Sequence, residues 1–151
     1  VAVLLAKTFI PALVIDTEIQ KIFLSLAGVI VVCGHVFSVF LRFKGGKGIS
    51  TLFGVLAVLN INIGICAAII WLVIFFWRHI SSLSGITMLT VLPWLFLLIP
   101  WLKNESPVWP VFFLFLSLSS LLVYQHLENI KRLLRGQEGQ LSASKNNDVH
   151  N

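Results

Sequence analysis

Long apolar runs separated by short polar turns dominate the pattern of this chain. The first run covers residues 1–15 and is followed by a turn at 16–18, and a second run covers about 22–41. A helix needs about 20 consecutive apolar residues to cross the hydrocarbon core of a bilayer. The second run therefore predicts a spanning helix. The first is short for a span, and because the chain is already apolar at Val1 we interpret its beginning as missing.

The apolar stretch over residues 51–77 is interrupted by the segment Asn60-Ile61-Asn62-Ile63-Gly64. Polar residues and glycine at such a break favour a turn, so the pattern predicts two short helices at about 50–59 and 64–77. A single tilted helix is the alternative. Two further runs, at 83–101 and 108–125, predict two more spans on either side of the polar turn 103–107.

With the first run included, the pattern predicts an all-α, polytopic integral membrane helix bundle with about six transmembrane helices. Residues 1–138 form its single domain. The polar segment 139–151 has nothing to bury, and we expect it to be a disordered tail.

Composition supports a membrane protein and excludes several other classes. Hydrophobic residues make up 58% of the chain and charged residues 11%, whereas soluble domains have roughly 45–50% and about 25%. The mean hydropathy is +0.96. This excludes a disordered chain, a disulfide-stapled secreted module and almost any water-soluble enzyme. Cys33 and Cys66 lie inside apolar runs, where cysteine packs as a small apolar residue, and no metal-ligand spacing is present.

The charge balance indicates how the chain is oriented. Lys and Arg number 11 against six Asp and Glu, which gives a net charge of +5. In this apolar background the excess favours membrane topology or an anionic substrate over nucleic acid. If residues 51–77 form a hairpin, one side of the membrane collects most of the cations, namely Arg42, Lys44, Lys47, Arg78, Lys131, Arg132 and Arg135. The positive-inside rule makes that side cytoplasmic. A single helix would place Arg78 outside and Lys103 inside, so the rule favours the hairpin.

Unusual polar residues converge on this predicted cytoplasmic face. They are Gly34-His35, the loop 42–50 with sequence RFKGGKGIS, the segment 78–82, and residues 126–135. A turn rich in Lys and Gly that opens a helix binds phosphate through its backbone N–H groups and its cation. It is not a Walker A loop, because Leu41 stands at the position of the first glycine of that motif. Plain positive-inside topology is the other interpretation of the loop.

His126 and Asn129 are the strongest candidates for chemistry. They are three residues apart and share one face of a helix. A histidine can exchange a proton while the amide holds a ligand. The alternatives are structural: His126 bonds a backbone carbonyl, His35 is a core histidine, Arg78 is only a topology cation, and Ser81 and Ser82 cap a helix that begins near residue 83.

Three stretches, in this order, resemble the bacterial acyl-phosphate-dependent glycerol-3-phosphate acyltransferase family of the PlsY type. Residues 34–49 resemble the family motif GHxF…FLxFKGGKG, residues 78–84 its R-Y-x-S-L-x-S stretch, and residues 126–138 its HxxNIxRLLxGxE ending. The resemblance covers residues 1–138. The family's first motif, GSxNPGATNxxR, is absent, so the resemblance implies an N-terminally truncated chain with six of seven helices. Ser38 replaces a usual Pro, and His79 a common Tyr.

The resemblance implies transfer of a fatty acyl group from acyl phosphate to the sn-1 hydroxyl of glycerol 3-phosphate. The products are lysophosphatidic acid and phosphate, which makes this the first step of phospholipid synthesis. It further implies a multi-pass transferase of the bacterial cytoplasmic (inner) membrane, with its site facing the cytoplasm and in contact with membrane lipid. We expect no cofactor and no metal. We do expect a functional link to the soluble enzyme that makes acyl phosphate.

The resemblance also assigns roles to residues of this chain. Carried over, His126 and Asn129 belong to the catalytic site, and Gly45, Gly46, Lys47 and Gly48 hold phosphate. Lys44 and Arg78 are added as phosphate-binding cations. His35, Ser81, Ser82 and Glu138 have supporting roles. An acyl phosphate is a mixed anhydride with a good leaving group, so no covalent nucleophile is needed. Either His126 takes the hydroxyl proton, or it orients the hydroxyl while the substrate phosphate takes the proton.

Two other function classes remain. A transporter or channel for a phosphorylated solute predicts polar residues at mid-membrane depth, whereas the polar residues here cluster at one surface, apart from Lys7. A non-catalytic membrane scaffold explains the spans but not the convergence of His, Asn, Lys and Gly.

Overall fold

The computed structural model describes residues 3, 5, 17–43 and 45–137. The regular secondary structure of this part of the chain is all helix, as the sequence predicts. The helices are α1 (Thr17–Val36), α2 (Ile49–Leu59), α3 (Ile61–Arg78), α4 (Ser81–Leu102), α5 (Trp109–Gln125) and α6 (Leu127–Leu134), with a short 3-10 turn at Val39–Leu41. The predicted first helix, apart from residues 3 and 5, lies outside the described residues. So do Lys44, Glu138 and the predicted disordered tail.

Asn60 separates α2 from α3, which confirms the prediction of two helices rather than one. Its backbone is extended, with φ −154°, and its side-chain oxygen accepts hydrogen bonds from the backbone N–H groups of Asn62 and Ile63 at 3.1 and 3.3 Å. These bonds satisfy two of the donors left without partners at a helix start. Because one capping residue makes the turn, α3 begins at Ile61, three residues earlier than predicted.

The boundaries of α1 differ from the prediction. The helix begins at Thr17, inside the segment expected to be a turn, and ends at Val36 rather than near residue 41. After Val36 the chain folds back through the 3-10 turn, and Arg42 and Phe43 adopt left-handed backbone angles of 52° and 61° in φ. The predicted helix was too long here because the sequence stays apolar to residue 41. No glycine at residues 42 and 43 indicated the left-handed turn that follows.

Apolar side chains form both the core and the outer surface. Helix α4 packs between α3 and α5, while α1 packs against α2 and α5. Phe96 and Phe115 stack at the centre, with ring centroids 4.1 Å apart. Many large apolar residues point outward, among them Ile30, Ile65 and Phe113, which suits a lipid environment and not water.

Three helices of the described residues are long and apolar enough to cross a membrane: α1 with its 3-10 turn, α3 and α4. Helices α5 and α6 qualify together as a fourth, although they are bent by 57°. Helix α2, at 11 residues, is too short to qualify. The molecule is therefore a membrane helix bundle, and the number of six spans stays a prediction.

The two ends of the bundle differ in character. One end brings together the start of α2, the α3–α4 junction and the α5–α6 junction around a cavity. The other end holds a smaller cavity of about 130 Å³, whose lining includes Lys21, Asn60 and Glu105. This is the alternation that the hairpin predicts.

Candidate functional site

A cavity of about 590 Å³ at the first of these ends collects most of the polar groups singled out from the sequence. Its lining is His35, Gly46, Lys47, Gly48, Ile49, Ser50, Trp71, His79, Ile80, Ser81, Ser82, Gly85, His126 and Asn129. Four separate segments of the chain supply these residues. The predicted convergence on one face is therefore present in the described structure.

The glycine loop lies directly on the end of α1. Gly45 donates its backbone N–H to the carbonyl oxygen of Val36 at 3.1 Å. A Cβ at Gly45 would overlap the carbonyl oxygen of His35 and lie 2.5 Å from that of Val36, so a larger residue does not fit. The backbone of His35 and Val36 at the end of α1 is thus the surface against which the loop is held.

Gly48 directs the start of α2 into the cavity. Its φ of +76° is left-handed, which glycine adopts without steric cost, and it occupies the N-cap of α2 with no side-chain capping bond. The next two residues, Ile49 and Ser50, line the cavity. Backbone N–H groups and the positive end of the helix dipole make such a helix start a binding place for anions.

Lys47 and Asn129 meet across the cavity. The Lys47 Nζ donates a hydrogen bond to the Asn129 Oδ1 at 2.5 Å. Asn129 is buried in the first turn of α6, whereas Lys47 is largely exposed in the loop before α2. The contact joins the two motifs that the sequence placed on the same face, and it fixes an ammonium group beside a buried amide.

His126 stands at the 57° bend between α5 and α6 and is 2% exposed. Its Nδ1 lies 2.7 Å from the carbonyl oxygen of Leu122. Since a carbonyl oxygen only accepts, Nδ1 carries the proton of this bond. When the ring is neutral, this leaves Nε2 as its acceptor nitrogen. The bond to a backbone carbonyl, expected from the sequence as a structural alternative, therefore also orients the ring.

His35, Ser81 and Ser82 line the same cavity. The imidazole of His35 covers Gly46, so that a Cβ at Gly46 would lie 2.8 Å from the His35 Nε2. Neither serine caps α4, because the N-cap is Ile80 and it has no side-chain capping bond. The Ser82 Oγ is buried and has no hydrogen-bond partner among the described residues. Such a hydroxyl is available to a ligand.

Arg78 lies outside the lining of the cavity. It is the last residue of α3, and its guanidinium carbon is 5.4 Å from the ring centroid of Trp77. The structure therefore does not bring this predicted phosphate ligand to Lys47 and Asn129. Two other predicted site residues, Lys44 and Glu138, lie outside the described residues.

Two lining residues lie outside every stretch singled out from the sequence: Trp71 and Gly85. Trp71 carries a signal in its spacing, because with Phe75 and His79 it recurs every four residues on one face of α3. Their rings form a stack, with centroids 5.0 Å apart for Trp71–Phe75 and 6.4 Å for Phe75–His79. Gly85 carries no such signal.

Charges outside the cavity are concentrated on α6. Lys131 donates a hydrogen bond to the Glu128 carboxylate at 2.8 Å. The pair is exposed, so it stabilises the fold little. Among the described residues, no group of His, Cys, Asp or Glu is arranged to hold a metal ion.

Comparisons with known proteins agree on one family. The sequence profile described as "Glycerol-3-phosphate acyltransferase" matches residues 1–136. A glycerol-3-phosphate acyltransferase of Aquifex aeolicus is 38% identical over 134 residues, which are 87% of this chain and 67% of that protein. One of Burkholderia thailandensis is 34% identical over 125 residues, 83% of this chain and 60% of that protein.

Solved structures give the same result. The crystal structure of PlsY (YgiH), an integral membrane glycerol 3-phosphate acyltransferase, matches in its glycerol 3-phosphate form with a TM-score of 0.69 and 32% identity, over 94% of this chain and 66% of that one. Its lysophosphatidic acid form matches with a TM-score of 0.68 and 33% identity, over 91% and 63%. This chain spans about three fifths to two thirds of the length of these relatives.

Proposed function

Because this chain belongs to the glycerol-3-phosphate acyltransferase family, we propose that the protein transfers a fatty acyl group from acyl phosphate to the sn-1 hydroxyl of glycerol 3-phosphate. The products are lysophosphatidic acid and inorganic phosphate. The observation that carries the proposal is the contact between Lys47 and Asn129 in a cavity that also holds His126. A cation, an amide and an imidazole at one site match the needs of an anionic donor and an anionic acceptor.

Binding of phosphate is the first task of this site. Lys47 supplies a positive charge, and the start of α2 after Gly48 supplies backbone N–H donors aimed into the cavity. Donors fixed in place before the reaction stabilise charge that develops on an oxyanion. Both substrates carry phosphate, so we propose that this end of the cavity holds one phosphate while the other approaches beside it.

The transfer itself needs positioning more than activation. The oxygen of the acceptor hydroxyl attacks the acyl carbonyl carbon, the bond from that carbon to the phosphate oxygen breaks, and phosphate leaves with the bonding electron pair. Because the donor is a mixed anhydride, no covalent enzyme intermediate is required. Holding the two reactants side by side removes much of the entropic barrier.

His126 is the residue next to the transferred proton. Its Nδ1 donates to the Leu122 carbonyl, so the neutral ring presents Nε2 as an acceptor. In one route Nε2 takes the hydroxyl proton, and in the other it orients the hydroxyl while a phosphate oxygen takes the proton. Both routes balance, and they differ in how strongly the rate depends on the protonation of His126.

The place of the site in the bundle suits substrates from two phases. Polar residues line one part of the cavity, while Trp71 and Ile80 supply apolar surface. An acyl chain arrives from the lipid and glycerol 3-phosphate from water. The cations gathered at this end favour the cytoplasmic side of a bacterial inner membrane, where a soluble enzyme that makes acyl phosphate would deliver the donor.

Membranes that contain the full-length protein provide the test. They are given acyl phosphate or an acyl thioester together with labelled glycerol 3-phosphate. We expect labelled lysophosphatidic acid and free phosphate with the acyl phosphate only, and loss of product in His126→Ala. Tyr124→Phe, which changes an exposed residue at the same end of α5, should behave as the wild type.

The same assay distinguishes the transporter. Accumulation of labelled glycerol 3-phosphate in sealed vesicles without any acylated product would overturn the acyltransferase and favour transport. Product from the acyl thioester alone would overturn the choice of donor while keeping the reaction class.

A further inference from the structure

Gly85 lies beside the acceptor nitrogen of His126. It is a buried residue of α4, four positions after the helix begins at Ser81, and it lines the cavity. A Cβ placed at Gly85 would lie 3.6 Å from the His126 Nε2 and 3.6 Å from the Cδ1 of Ile49. The backbone of α4 therefore forms the cavity wall between the imidazole and the start of α2.

The fold does not require glycine at this position. A Cβ at Gly28 would come within 2.6 Å of Val55, and one at Gly45 would overlap backbone oxygens, so helix packing and loop packing fix those two residues. At Gly85 the distance of 3.6 Å is ordinary van der Waals contact. Its backbone is not left-handed either, since Gly48 and Gly136 are the described glycines with positive φ.

A glycine inside a helix destabilises it relative to alanine. At Gly85 neither packing nor backbone conformation compensates for that loss, and a methyl group there would lie against the His126 Nε2 and the side chain of Ile49. Space at a catalytic nitrogen is a functional quantity, because a hydroxyl must come within about 2.6–3.2 Å of the base that receives its proton.

We propose that Gly85 is a positioning residue that keeps the approach to the His126 Nε2 open for the hydroxyl group of the acceptor. The inference rests on the proposed acyl transfer. A methyl group at residue 85 occupies part of this approach, so the hydroxyl is held away from Nε2. The proposed phosphate-binding residues Lys47 and Asn129 lie in other parts of the cavity, so a methyl group at residue 85 leaves phosphate binding intact.

Gly85→Ala tests this, with Gly54→Ala as the matched control. Gly54 is also a glycine inside a helix, α2, but a Cβ there meets nothing within 4 Å, and the residue does not line the cavity. We expect both variants of the full-length protein to unfold in detergent at a temperature equal to or above that of the wild type. We expect Gly85→Ala alone to lower kcat, by at least about tenfold, with KM for glycerol 3-phosphate changed less than about threefold.

The outcomes separate the two proposals. If the wild type forms lysophosphatidic acid and Gly85→Ala keeps kcat within about twofold, the role of Gly85 is overturned and the proposed function stands. A rise in KM alone, or a marked fall in unfolding temperature for Gly85→Ala, also overturns it, because either result indicates a binding or packing role. A wild type that forms no acylated product overturns the proposed function, and this inference with it.

Discussion

The Lys47 Nζ lies 2.5 Å from the Asn129 Oδ1, although 82 residues separate the two along the chain. Through this one hydrogen bond the glycine loop before α2 is tied to the buried first turn of α6. The bond holds the ammonium group beside the buried amide of Asn129, in the cavity that His126 also lines.

A double-mutant cycle measures how far Lys47 and Asn129 act as a unit. A hydrogen bond to a charged group contributes about 1.5–3 kcal/mol, so we expect Lys47→Ala and Asn129→Ala each to lower kcat/KM by at least about tenfold. The double variant should lose less than the sum, with a coupling free energy of about 1 kcal/mol or more. Strict additivity would contradict a joint role. Lys131→Ala, on the exposed side of α6, serves as the control.

Replacing His126 by glutamine tests the route of the proton. Because Nδ1 is held by the Leu122 carbonyl, we expect Nε2 to accept the proton and kcat to fall by about 100-fold or more in His126→Gln. A variant within about tenfold of the wild type would instead support proton transfer to phosphate. The measurement is kcat of the wild type and of the variant under the same conditions.

Gly45→Ala should disrupt the loop. The added Cβ would overlap the His35 carbonyl oxygen, so the loop must leave the end of α1 and take Lys47 with it. We expect loss of most activity and a lower unfolding temperature in detergent. Gly34→Ala is the contrast, because a Cβ at Gly34 meets nothing within 4 Å. Equal stability of the two variants would contradict the close packing of the loop.

Asn60→Ala should weaken the turn between α2 and α3. Its side chain accepts hydrogen bonds from the backbone of Asn62 and Ile63, and loss of such a cap costs about 1 kcal/mol. We expect a lower unfolding temperature with kcat nearly unchanged, since Asn60 lies at the opposite end of the bundle from His126. Asn62→Ala leaves both bonds in place, because Asn62 contributes only its backbone, and it should unfold as the wild type does.

The two ends of the bundle should lie on opposite sides of the membrane. In a background with Cys33 and Cys66 replaced by alanine, single cysteines at Asn104 and Gln137, both exposed, report their side through a membrane-impermeant thiol reagent. We expect labelling of Asn104→Cys in intact cells, and labelling of Gln137→Cys only after the membrane is opened. The reverse pattern would contradict a cytoplasmic site, and labelling of both in intact cells would contradict the alternation.

Local sequence patterns predict much of the architecture. The apolar runs predict the helices, and the polar break at Asn60 predicts the separation of α2 from α3. The prediction failed at the end of α1, where Arg42 and Phe43 turn the chain back with left-handed backbone angles. In the same loop Gly45 donates its backbone N–H to the carbonyl oxygen of Val36, a contact that no local pattern records.

The site divides in the same way. The motifs predicted its residue types, and His126, Asn129, Lys47, Gly46 and Gly48 do line one cavity, whereas Gly45 packs on the end of α1 instead. Arg78, predicted as a phosphate ligand from its charge, instead lies over Trp77. Nothing in the sequence was a reason to select Gly85, because the pattern around a glycine inside an apolar helix does not show which side chain it faces.

The sequence was sufficient to predict that the protein folds in a membrane, where its helices lie and which polar groups gather at one face. These features are readable from the sequence because hydropathy, helix capping and charge act over a few residues. Tertiary structure alone decided which of those groups touch, which nitrogen of His126 is held by the Leu122 carbonyl and which residues line the cavity around it. Those features depend on the packing of α1 against α2 and α5, and of α4 and α6 against each other and α5. Such packing joins residues that are far apart in sequence.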